Sequence, residues 1–547
     1  MDDVPRERHL LPAAIDYRAE HSPERIWAYF AKSDTDVQEG FRPVTYQAFA
    51  KAIDATAWWL DEVLGPAKPG FPTVAYIGAE DVRYIFLLYA CIKTGRKLLI
   101  PFPANTEEGL VKLLEAAKCA VVAAPKASSG PWKAAMQSMP SLDLIEVPPL
   151  RSLIDQDLVQ PYPYPKTMDE GIDDDMFVFQ TSGTTGNPKP IFKSHRAYEV
   201  WRRMVETTQR SPASLKIAMF DAYIDSYNPI FLPLSWSATV TLSAIAPILT
   251  GSVPIFMPGS WKQPASPAQI YEALPLIPRS RHNSILFIPD ILREFVRLPE
   301  RLDALKQFDV VMYAGAGLDR ATGDTIWEKT GVRVQSNMGS TDSDLYPTLV
   351  QHDPAQWYVH RLHPDCEGFH FQHYTEDLYE TRQSNDTRHC FITEPQRTVF
   401  HTRDLFKKVP DHEDSYTNAG RVDDFIKLGT LTKFNGIEVE QKLDGHVDIE
   451  GSLVGGHERP RPFVILQVSP RLLQEGVKQD VLKELWPIFE DVNRTLHADA
   501  HLTKDLTLIA DPERPLKRTA KNTLDRRSTL RMYEDEIGRL YGAALEA

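Results

Sequence analysis

Hydrophobic and polar residues in the first part of the chain follow two alternating periods. Apolar side chains recur at helical spacing over residues 45–64 and stop at a Gly-Pro pair, which predicts a helix and its end. Shorter apolar runs then predict a strand at 73–77, a helix at 82–94, a strand at 98–100, a helix at 107–117 and a strand at 120–123. Strands that alternate with helices indicate an α/β fold with a parallel sheet.

The pattern changes near residue 423. Beyond it, short strands are predicted at 424–428, 451–454 and 462–468, together with two helical stretches and a basic tail. We therefore expect a large N-terminal domain over residues 1–422 and a small α+β domain over residues 423–547. The proline-rich residues 148–165 show no sustained period, which predicts a connector.

Composition narrows the classes of protein that the chain can belong to. Its 547 residues are 42% hydrophobic and 25% charged, which indicates a folded protein of more than one domain. The net charge of −14 argues against a nucleic-acid partner. The four cysteines, Cys91, Cys119, Cys366 and Cys390, are scattered, which predicts free thiols in a reducing compartment. No signal peptide or bilayer-length apolar run is evident, so we expect a cytoplasmic protein with no membrane partner.

Residues 181–189 read TSGTTGNPK and follow the apolar residues 176–179, a predicted buried strand. Glycine lets the backbone approach a ligand closely, and bare N–H groups with short hydroxyls can surround phosphate oxygens. A flexible linker is the alternative for such a composition, but the flanking strand, the proline and the lysine argue against it. The candidate phosphate-binding residues are Thr181, Ser182, Gly183, Thr184, Thr185, Gly186 and Lys189.

This loop resembles the phosphate loop of the adenylate-forming superfamily, which contains acyl-CoA synthetases, luciferases and the adenylation domains of nonribosomal peptide synthetases. Further segments match the superfamily in order along nearly the whole chain. The resemblance implies a large N-terminal domain of layered α/β subdomains with parallel sheets, and a small mobile α+β C-terminal domain. It also implies that a carboxylic acid and Mg·ATP form an acyl-adenylate, which is then transferred to a thiol.

Two segments resemble the superfamily's adenine and phosphate contacts. Residues 313–318 (YAGAGL) imply the adenine site, although a tight turn alone would explain them. Residues 337–342 (NMGSTD) resemble YGxTE, with Asp342 in place of glutamate and Met338 in place of a stacking aromatic residue. The resemblance implies that Thr341 contacts the α-phosphate and that Asp342 holds Mg²⁺. The implied nucleotide contacts are Gly315, Ala316, Gly317, Asn337, Met338 and Gly339.

Two further segments imply the ribose site and the hinge between the domains. Residues 400–404 (FHTRD) resemble YxTGD, so Asp404 would accept hydrogen bonds from both ribose hydroxyls, with Arg403 in place of glycine. Residues 420–424 (GRVDD) resemble the GRxDD hinge, in which Arg421 meets the ribose or α-phosphate and Asp423 is the pivot. Charged surface turns are the alternative interpretation of both segments.

The basic segment of residues 514–527 resembles the superfamily's closing segment, where one lysine bridges the substrate carboxylate and the α-phosphate. The TAK-x-T spelling favours Lys521 for this role, with Lys517 as the second candidate. A solvated basic face is the alternative. His195 occupies the usual histidine position after the phosphate loop, where it would be either a catalytic residue or a structural one.

The acid to be activated is indicated by residues 234–239 and by nearby aromatic residues. The place where amino-acid-activating members hold the α-ammonium falls near Ala238, which has no carboxylate, so an ordinary α-amino acid is not expected. Tyr223, Tyr227 and Trp236 could line a slot for an aryl acid or cage a quaternary-ammonium acid. Core packing is the alternative for each of them.

In detail the chain most resembles the adenylation domain of fungal nonribosomal-synthetase-like carboxylate reductases. In those, a phosphopantetheine carrier domain in cis and an NADPH reductase domain follow. The sequence carries neither, so we expect an excised domain, although a free-standing ligase would look the same. The alternatives are an acyl- or aryl-CoA ligase and a degenerate nucleotide-binding scaffold, the latter suggested by Met338, Arg403 and Thr523.

Overall fold

The computed structural model describes residues 4–546 apart from 104, 126–130, 157, 182–187, 367, 376, 385–397, 411, 413, 431, 476–477 and 519–523. The first segment alternates strands and helices as the sequence predicts. Its strands are β1 (Ile26–Ala31), β2 (Phe41–Thr45), β3 (Thr73–Tyr76), β4 (Lys97–Leu99), β5 (Cys119–Ala124), β6 (Asp143–Glu146), β7 (Asp175–Thr181) and β8 (Lys189–Ser194). Its helices are α1 (Leu11–His21), α2 (Tyr46–Leu64), α3 (Arg83–Lys93), α4 (Glu107–Ala116), α5 (Pro131–Ser138), α6 (Leu150–Ile154), α7 (Met168–Gly171) and α8 (His195–Arg210).

Helix α2 begins and ends where its sequence signals lie. The Thr45 hydroxyl accepts a hydrogen bond from the Ala48 N–H, and Gly65 follows the last turn with a φ of 69°. Helix α6 differs from expectation, because it is a short helix inside the segment predicted as a connector. Its Leu153 is buried, and the helix packs against α2.

The second segment continues the alternation of strands and helices. Its strands are β9 (Tyr227–Ile230), β10 (Val253–Phe256), β11 (Ser284–Phe287), β12 (Val310–Tyr313) and β13 (Arg333–Ser336). Its helices are α9 (Ala218–Tyr223), α10 (Ser237–Val240), α11 (Ala246–Thr250), α12 (Pro267–Ala273), α13 (Pro289–Arg297), α14 (Pro299–Leu302) and α15 (Arg320–Thr330), with a π-helical turn at Thr241–Ile245 between α10 and α11.

Two layered α/β sheets result. The first has the order β6-β5-β3-β4-β7-β8 and is parallel except for the β7–β8 hairpin. The second has the order β2-β1-β10-β9, and a parallel bridge from Tyr227 to Asn283 joins it to β11-β12-β13. Helix α3 is buried at every position and packs against α2 and against strands β4 and β7. The expected α/β fold with parallel sheets is confirmed.

An antiparallel sheet that the sequence patterns did not predict follows β13. After a short hairpin of β14 (Gly339–Ser340) and β15 (Asp344–Leu345), its strands are β16 (Val359–His360), β17 (Phe369–Thr375), β18 (Leu378–Ser384), β19 (Val399–Lys408) and β20 (Tyr416–Arg421). They pair in the order β16-β20-β19-β18-β17. Polar and charged residues interrupt these strands on both faces, which hides the period-two pattern that would reveal them.

The last segment has two hydrophobic cores of its own. Its strands are β21 (Phe425–Lys427), β22 (Lys433–Asn435), β23 (Ile449–Gly455), β24 (Phe463–Val468) and β25 (Thr507–Ile509). Its helices are α16 (Gly436–Asp444), α17 (Pro470–Glu475), α18 (Lys478–Asn493), α19 (Arg526–Met532) and α20 (Glu534–Glu546). It contacts α13 through Arg518, 3.4 Å from Asp290, and through the Ile449 carbonyl, which accepts from Arg297 at 3.2 Å. Among the described helices none is both long and apolar enough to cross a bilayer.

Candidate functional site

The glycine-rich segment connects two antiparallel strands at the edge of the first sheet. Thr181 ends β7 and Lys189 begins β8, and the two residues are paired in the ladder. Lys189 is exposed, whereas Thr181 is half-buried. The remaining predicted phosphate-binding residues lie outside the described residues: Ser182, Gly183, Thr184, Thr185 and Gly186.

A buried ion pair joins this hairpin to the segment that resembles YGxTE. Lys193, on β8, is 1% exposed and donates from Nζ to Oδ1 of Asp344 at 2.6 Å. Asp344 begins β15 with a φ of 59°. The two residues are 151 positions apart, and no sequence signal marked either of them. The pair fixes the position of the β14–β15 hairpin relative to strand β8.

Thr341 and Asp342 form the tip of the β14–β15 hairpin. The hairpin is tight at Gly339, where a Cβ atom would lie 2.6 Å from the Asp344 carbonyl oxygen. The Thr341 hydroxyl lies 3.0 Å from the hydroxyl of Ser237, the first residue of α10. Burial raises the pKa of the Asp342 carboxyl, and the positive charges of Lys193 and Arg421 act against that rise. The hairpin tip therefore presents a hydroxyl and a carboxyl between two cations.

Asp404 is held by two donors from different parts of the chain. Its Oδ1 accepts from Nη1 of Arg421 at 3.0 Å, and its Oδ2 accepts from the Tyr346 hydroxyl at 2.5 Å. Burial raises the pKa of Asp404, whereas Arg421 and the Tyr346 hydrogen bond act to lower it. Arg421 thus pairs with Asp404, and its charge also acts on Asp342. Sequence reasoning had not identified Tyr346.

Asp404 lies in a β-bulge that re-aims its side chain. Between the pairs Glu380–Leu405 and Arg382–His401, residues 402–404 of β19 stand opposite a single residue of β18. Arg403 has a φ of 66°, a left-handed conformation that favours glycine. Its N–H donates to Oε1 of the buried Glu380 at 3.2 Å. Glu380 also contacts Nδ1 of His401 and Nε of Arg382, each at 3.0 Å.

The segment that resembles the adenine site follows β12 and β13. Gly315 and Ala316 are exposed, Gly317 is half-buried, and Gly315 has a φ of 89°. The Asn337 N–H donates to the Tyr313 carbonyl at 2.8 Å. Both polar atoms of the Asn337 side chain are buried, and neither has a hydrogen-bond partner among the described residues.

Two neighbours border this adenine-like segment. Met338 is half-buried, and its carbonyl accepts from the Tyr346 N–H at 3.0 Å. A Cβ at Gly317 would lie 2.6 Å from Nε2 of Gln441, on α16 of the last segment. The segment therefore lies where the C-terminal part of the chain meets the second sheet.

The residues predicted to select the acid do not all lie together in the structure. Ala238 is exposed and follows Ser237, the contact of Thr341, and Trp236 is 7% exposed. Tyr223 is fully buried in the main hydrophobic core. Tyr227 packs against Tyr29, with 5.6 Å between ring centroids. It is the first residue of β9, whereas Trp236 comes after the last residue of that strand. Tyr227 and Trp236 are therefore at opposite ends of β9.

His195 is a neutral, buried residue at the start of α8. Burial, together with the positive charge of Lys166, lowers its pKa to about 3. Its Nε2 atom is buried and has no partner among the described residues. An imidazole in this state carries no charge at neutral pH.

The candidate lysines and the hinge are only partly covered by the residues that the structure describes. Lys521 lies outside the described residues, and of Asp423 only the backbone, in the turn Val422–Asp424, is described. The exposed Lys517 donates its N–H to the Thr529 hydroxyl at 3.0 Å.

Comparison with known proteins identifies the family. The model of the AMP-binding enzyme family matches residues 15–357, and the model of the AMP-binding enzyme C-terminal domain matches residues 423–545. The chain therefore belongs to the AMP-binding enzyme family, within the adenylate-forming superfamily, as its motifs predicted. It is an adenylate-forming ligase.

Three known proteins illustrate what this chain is similar to. A carboxylic acid reductase of Neurospora crassa is 29% identical over 98% of this chain and 51% of its own length. An isocyanide synthase-NRPS hybrid of Aspergillus fumigatus is 28% identical over 98% of this chain and 34% of its own length. The A domain of carboxylic acid reductase from Segniliparus rugosus, solved with AMP and a co-purified carboxylic acid, superimposes with a TM-score of 0.73 at 14% identity, covering 98% of this chain and 94% of that one. The chain thus spans about half or less of the curated relatives' length.

Proposed function

We propose that this chain uses Mg·ATP to activate a small carboxylic acid as an acyl-adenylate and passes the acyl group to a thiol. The observation that carries this proposal is the pairing of Asp404 with Arg421, a cation whose charge also acts on Asp342, the neighbour of Thr341 at the tip of the β14–β15 hairpin. Two carboxyls that interact with one guanidinium, in a chain whose strands β7 and β8 flank a glycine-rich segment, suit a nucleotide that has both a ribose diol and a phosphate chain.

The residues near Arg421 and in the adenine-like segment suit the ribose and the base of a nucleotide. Asp404 has one carboxylate that can accept from both ribose hydroxyls, and Tyr346 and Arg421 orient it. The Asn337 amide offers an unpaired buried donor and acceptor, which the edge of an adenine base can satisfy. Gly315, Ala316 and Gly317 leave backbone surface open for the base, with Met338 and Gly339 on its other side.

The phosphate end is assigned to the hairpin β7–β8 and to the tip of β14–β15. Residues 181–186 and Lys189 would surround the phosphates, and Thr341 would donate to the α-phosphate. Asp342 would hold Mg²⁺, which neutralises phosphate charge when it is bound. Lys193 keeps this carboxyl in position by fixing the hairpin through Asp344.

The C-terminal domain is assigned the catalytic lysine. We place the domain boundary between residues 422 and 423, with Asp423 as the hinge. Lys521 would bridge the acid's carboxylate and the α-phosphate and so neutralise the charge that builds up between them. His195, as a buried neutral imidazole, would contribute hydrogen bonding and shape rather than proton transfer at neutral pH.

The acyl acceptor is proposed to be the phosphopantetheine thiol of a carrier domain, in cis in the full-length protein, with later NADPH reduction by a further domain. Similarity to a carboxylic acid reductase supports this choice. The alternative is free CoA as acceptor, as in an acyl- or aryl-CoA ligase. A scaffold that binds nucleotide without turnover is the second alternative, and Arg403 in place of glycine is the observation that favours it.

Acid-dependent exchange of pyrophosphate into ATP tests the proposal. The acid panel is aryl, aliphatic, α-keto, α-amino and betaine-type, and we expect aryl or quaternary-ammonium acids to respond before α-amino acids. Adding CoA or a loaded carrier domain to the responding acid then identifies the acceptor thiol. ATP binding without exchange for any acid would contradict the proposal and support the scaffold.

A further inference from the structure

A second cavity lies at the carboxyl ends of β1, β9 and β10, apart from the nucleotide residues. Its volume is about 260 Å³, enough for a small organic molecule. The walls contributed by these strands and the residues after them are apolar: Phe30, Ile230, Leu232, Leu234, Phe256 and Met257. Such a cavity favours a ligand with an apolar body.

Most of the charged residues at the entrance of this cavity form ion pairs. Arg42 lies 3.7 Å from Asp155, and Arg151 lies 3.7 Å from Asp34. These pairs are mostly exposed to solvent, as is the Lys32 side chain. Asp81, the other carboxylate of the lining, pairs with Arg83 at 2.7 Å. The entrance charges are thus solvated, and the exposed Lys32 forms no ion pair with the described residues.

Glu80 differs from these residues because it has no cationic partner within ion-pair distance in the described part of the chain. Its Oε1 accepts from the Ser235 hydroxyl at 2.8 Å, and its Oε2 accepts from the Ser235 N–H at 3.1 Å. Burial raises the pKa of this carboxyl, and the hydrogen bonds from Ser235 and Leu234 act to lower it. A cation in the cavity would gain from the charge of Glu80, with which no described side chain forms an ion pair.

Gln263 supplies a second acceptor in the same lining. Its Oε1 atom is buried and receives no hydrogen bond from the residues that the structure describes. An acceptor in this state is costly unless a ligand satisfies it. A primary ammonium has three N–H donors, so it can serve Glu80 and Gln263 together, whereas a quaternary ammonium has none.

We propose that this cavity binds a primary ammonium group on an apolar carbon chain, with Glu80 as its counter-ion and Gln263 as a second acceptor. The ammonium is inferred to be the far end of the activated acid, an inference that rests on the proposed function. Glu80 contacts Ser235, and Ser237 contacts Thr341 at 3.0 Å. Glu80 and Thr341 therefore contact opposite ends of one short segment, residues 235–237, whose two ends are at most about 7 Å apart.

Holding the acid at both Glu80 and Thr341 favours one class of acid. An α-amino acid has its ammonium next to its carboxylate, so it is the class least suited to placing one group at Glu80 and the other beside Thr341. An ω-amino acid with a medium-length chain can span the two positions. The absence of a carboxylate at Ala238 agrees with this assignment, because the cation is held elsewhere. The proposed ammonium site thus favours an ω-amino acid over a quaternary-ammonium acid.

Matched acids test the assignment on the whole chain. We expect the kcat/KM for pyrophosphate exchange with 8-aminooctanoate to exceed that with octanoate at least tenfold. Glu80→Gln should lower this ratio at least tenfold, because it removes the charge and keeps an acceptor for Ser235. Glu115→Gln, the same change at an exposed position on α4, should leave the ratio as it is.

Ser235→Ala separates charge recognition from loop anchoring. It removes one hydrogen bond to Glu80 and keeps the carboxylate, so the preference for the amino acid should persist. A ratio near one in the unmodified chain would overturn the assignment. So would a Glu80→Gln variant that loses exchange equally with both acids, since Glu80 would then only anchor the Ser235 loop.

Direct binding distinguishes failure of this inference from failure of the proposed function. If no acid supports exchange, calorimetry with octylamine still probes the cavity. Saturable binding to the unmodified chain that weakens at least tenfold in Glu80→Gln would support an ammonium site for a separate amine. No binding of octylamine, together with no preference for 8-aminooctanoate, would overturn the site altogether.

Discussion

Arg403 lies in the bulge beside Asp404 and adopts a backbone conformation that ordinarily favours glycine. Its φ of 66° places Cβ close to the following carbonyl, which costs about 1–2 kcal/mol for a residue other than glycine. The N–H of Arg403 donates to Glu380, whose side chain is 3% exposed. We infer that this hydrogen bond offsets the backbone cost and so keeps Asp404 directed at the proposed ribose.

Glu380→Gln tests this inference. The substitution removes the charge that accepts from Arg403, His401 and Arg382, so the bulge should relax away from the left-handed conformation. ATP would then have to restore it on binding. A cost of about 1.4 kcal/mol corresponds to a tenfold change in Kd, so we expect ATP to bind about tenfold more weakly to Glu380→Gln.

The same substitution in an Arg403→Gly background provides the control. Glycine adopts this conformation without the Cβ penalty, so Glu380→Gln should weaken ATP binding less than about threefold there. The assay is calorimetric titration of Mg·ATP into the four proteins, with thermal unfolding to confirm that each is folded. An equal loss of affinity in both backgrounds, or no loss in either, would refute the reasoning.

Three further predictions concern the hairpin, the domain interface and the proposed catalytic lysine. Gly339→Ala should destabilise the protein by about 1–3 kcal/mol and weaken ATP binding, because the new Cβ would meet the Asp344 carbonyl at 2.6 Å. Denaturant unfolding measures the loss of stability, and titration with Mg·ATP measures the loss of affinity. Burial raises the pKa of Asp444 to about 6, so the folded chain keeps a proton that the unfolded chain releases. Stability should therefore fall as pH rises from about 4 to about 6, and Asp444→Asn should flatten that slope in urea unfolding. Lys521→Ala should nearly abolish adenylate formation in the exchange assay while ATP binding is largely kept.

Each of these has a control and an outcome that contradicts it. Gly538→Ala places a Cβ in open space and should not destabilise the protein, so equal losses at Gly339 and Gly538 would refute the steric argument. An unchanged pH slope in Asp444→Asn would assign the slope to other carboxyls. Turnover that survives in Lys521→Ala would remove that lysine from the mechanism, and Lys517→Ala would then be the next variant.

The two confirmed predictions, the α/β fold and the family, rest on local signals. The helix at Tyr46–Leu64 has its own cap and stop, and the strands around it carry continuous apolar runs. The glycine-rich loop and the GRVDD segment are each a single unbroken stretch of sequence, so both motifs can be recognised without a structure. The antiparallel sheet of residues 359–421 was missed because its strands mix polar and apolar residues on both faces.

Neighbouring residues along the chain were enough to predict the alternating strands and helices of the first segment, the class of enzyme and the candidate nucleotide residues. Only tertiary packing specifies which distant side chains meet. Lys193 pairs with Asp344 across 151 positions, Tyr346 reaches Asp404 across 58, and Glu80 reaches Ser235 across 155. No local pattern encodes such pairs, because the contacts exist only once two sheets and their loops have packed together.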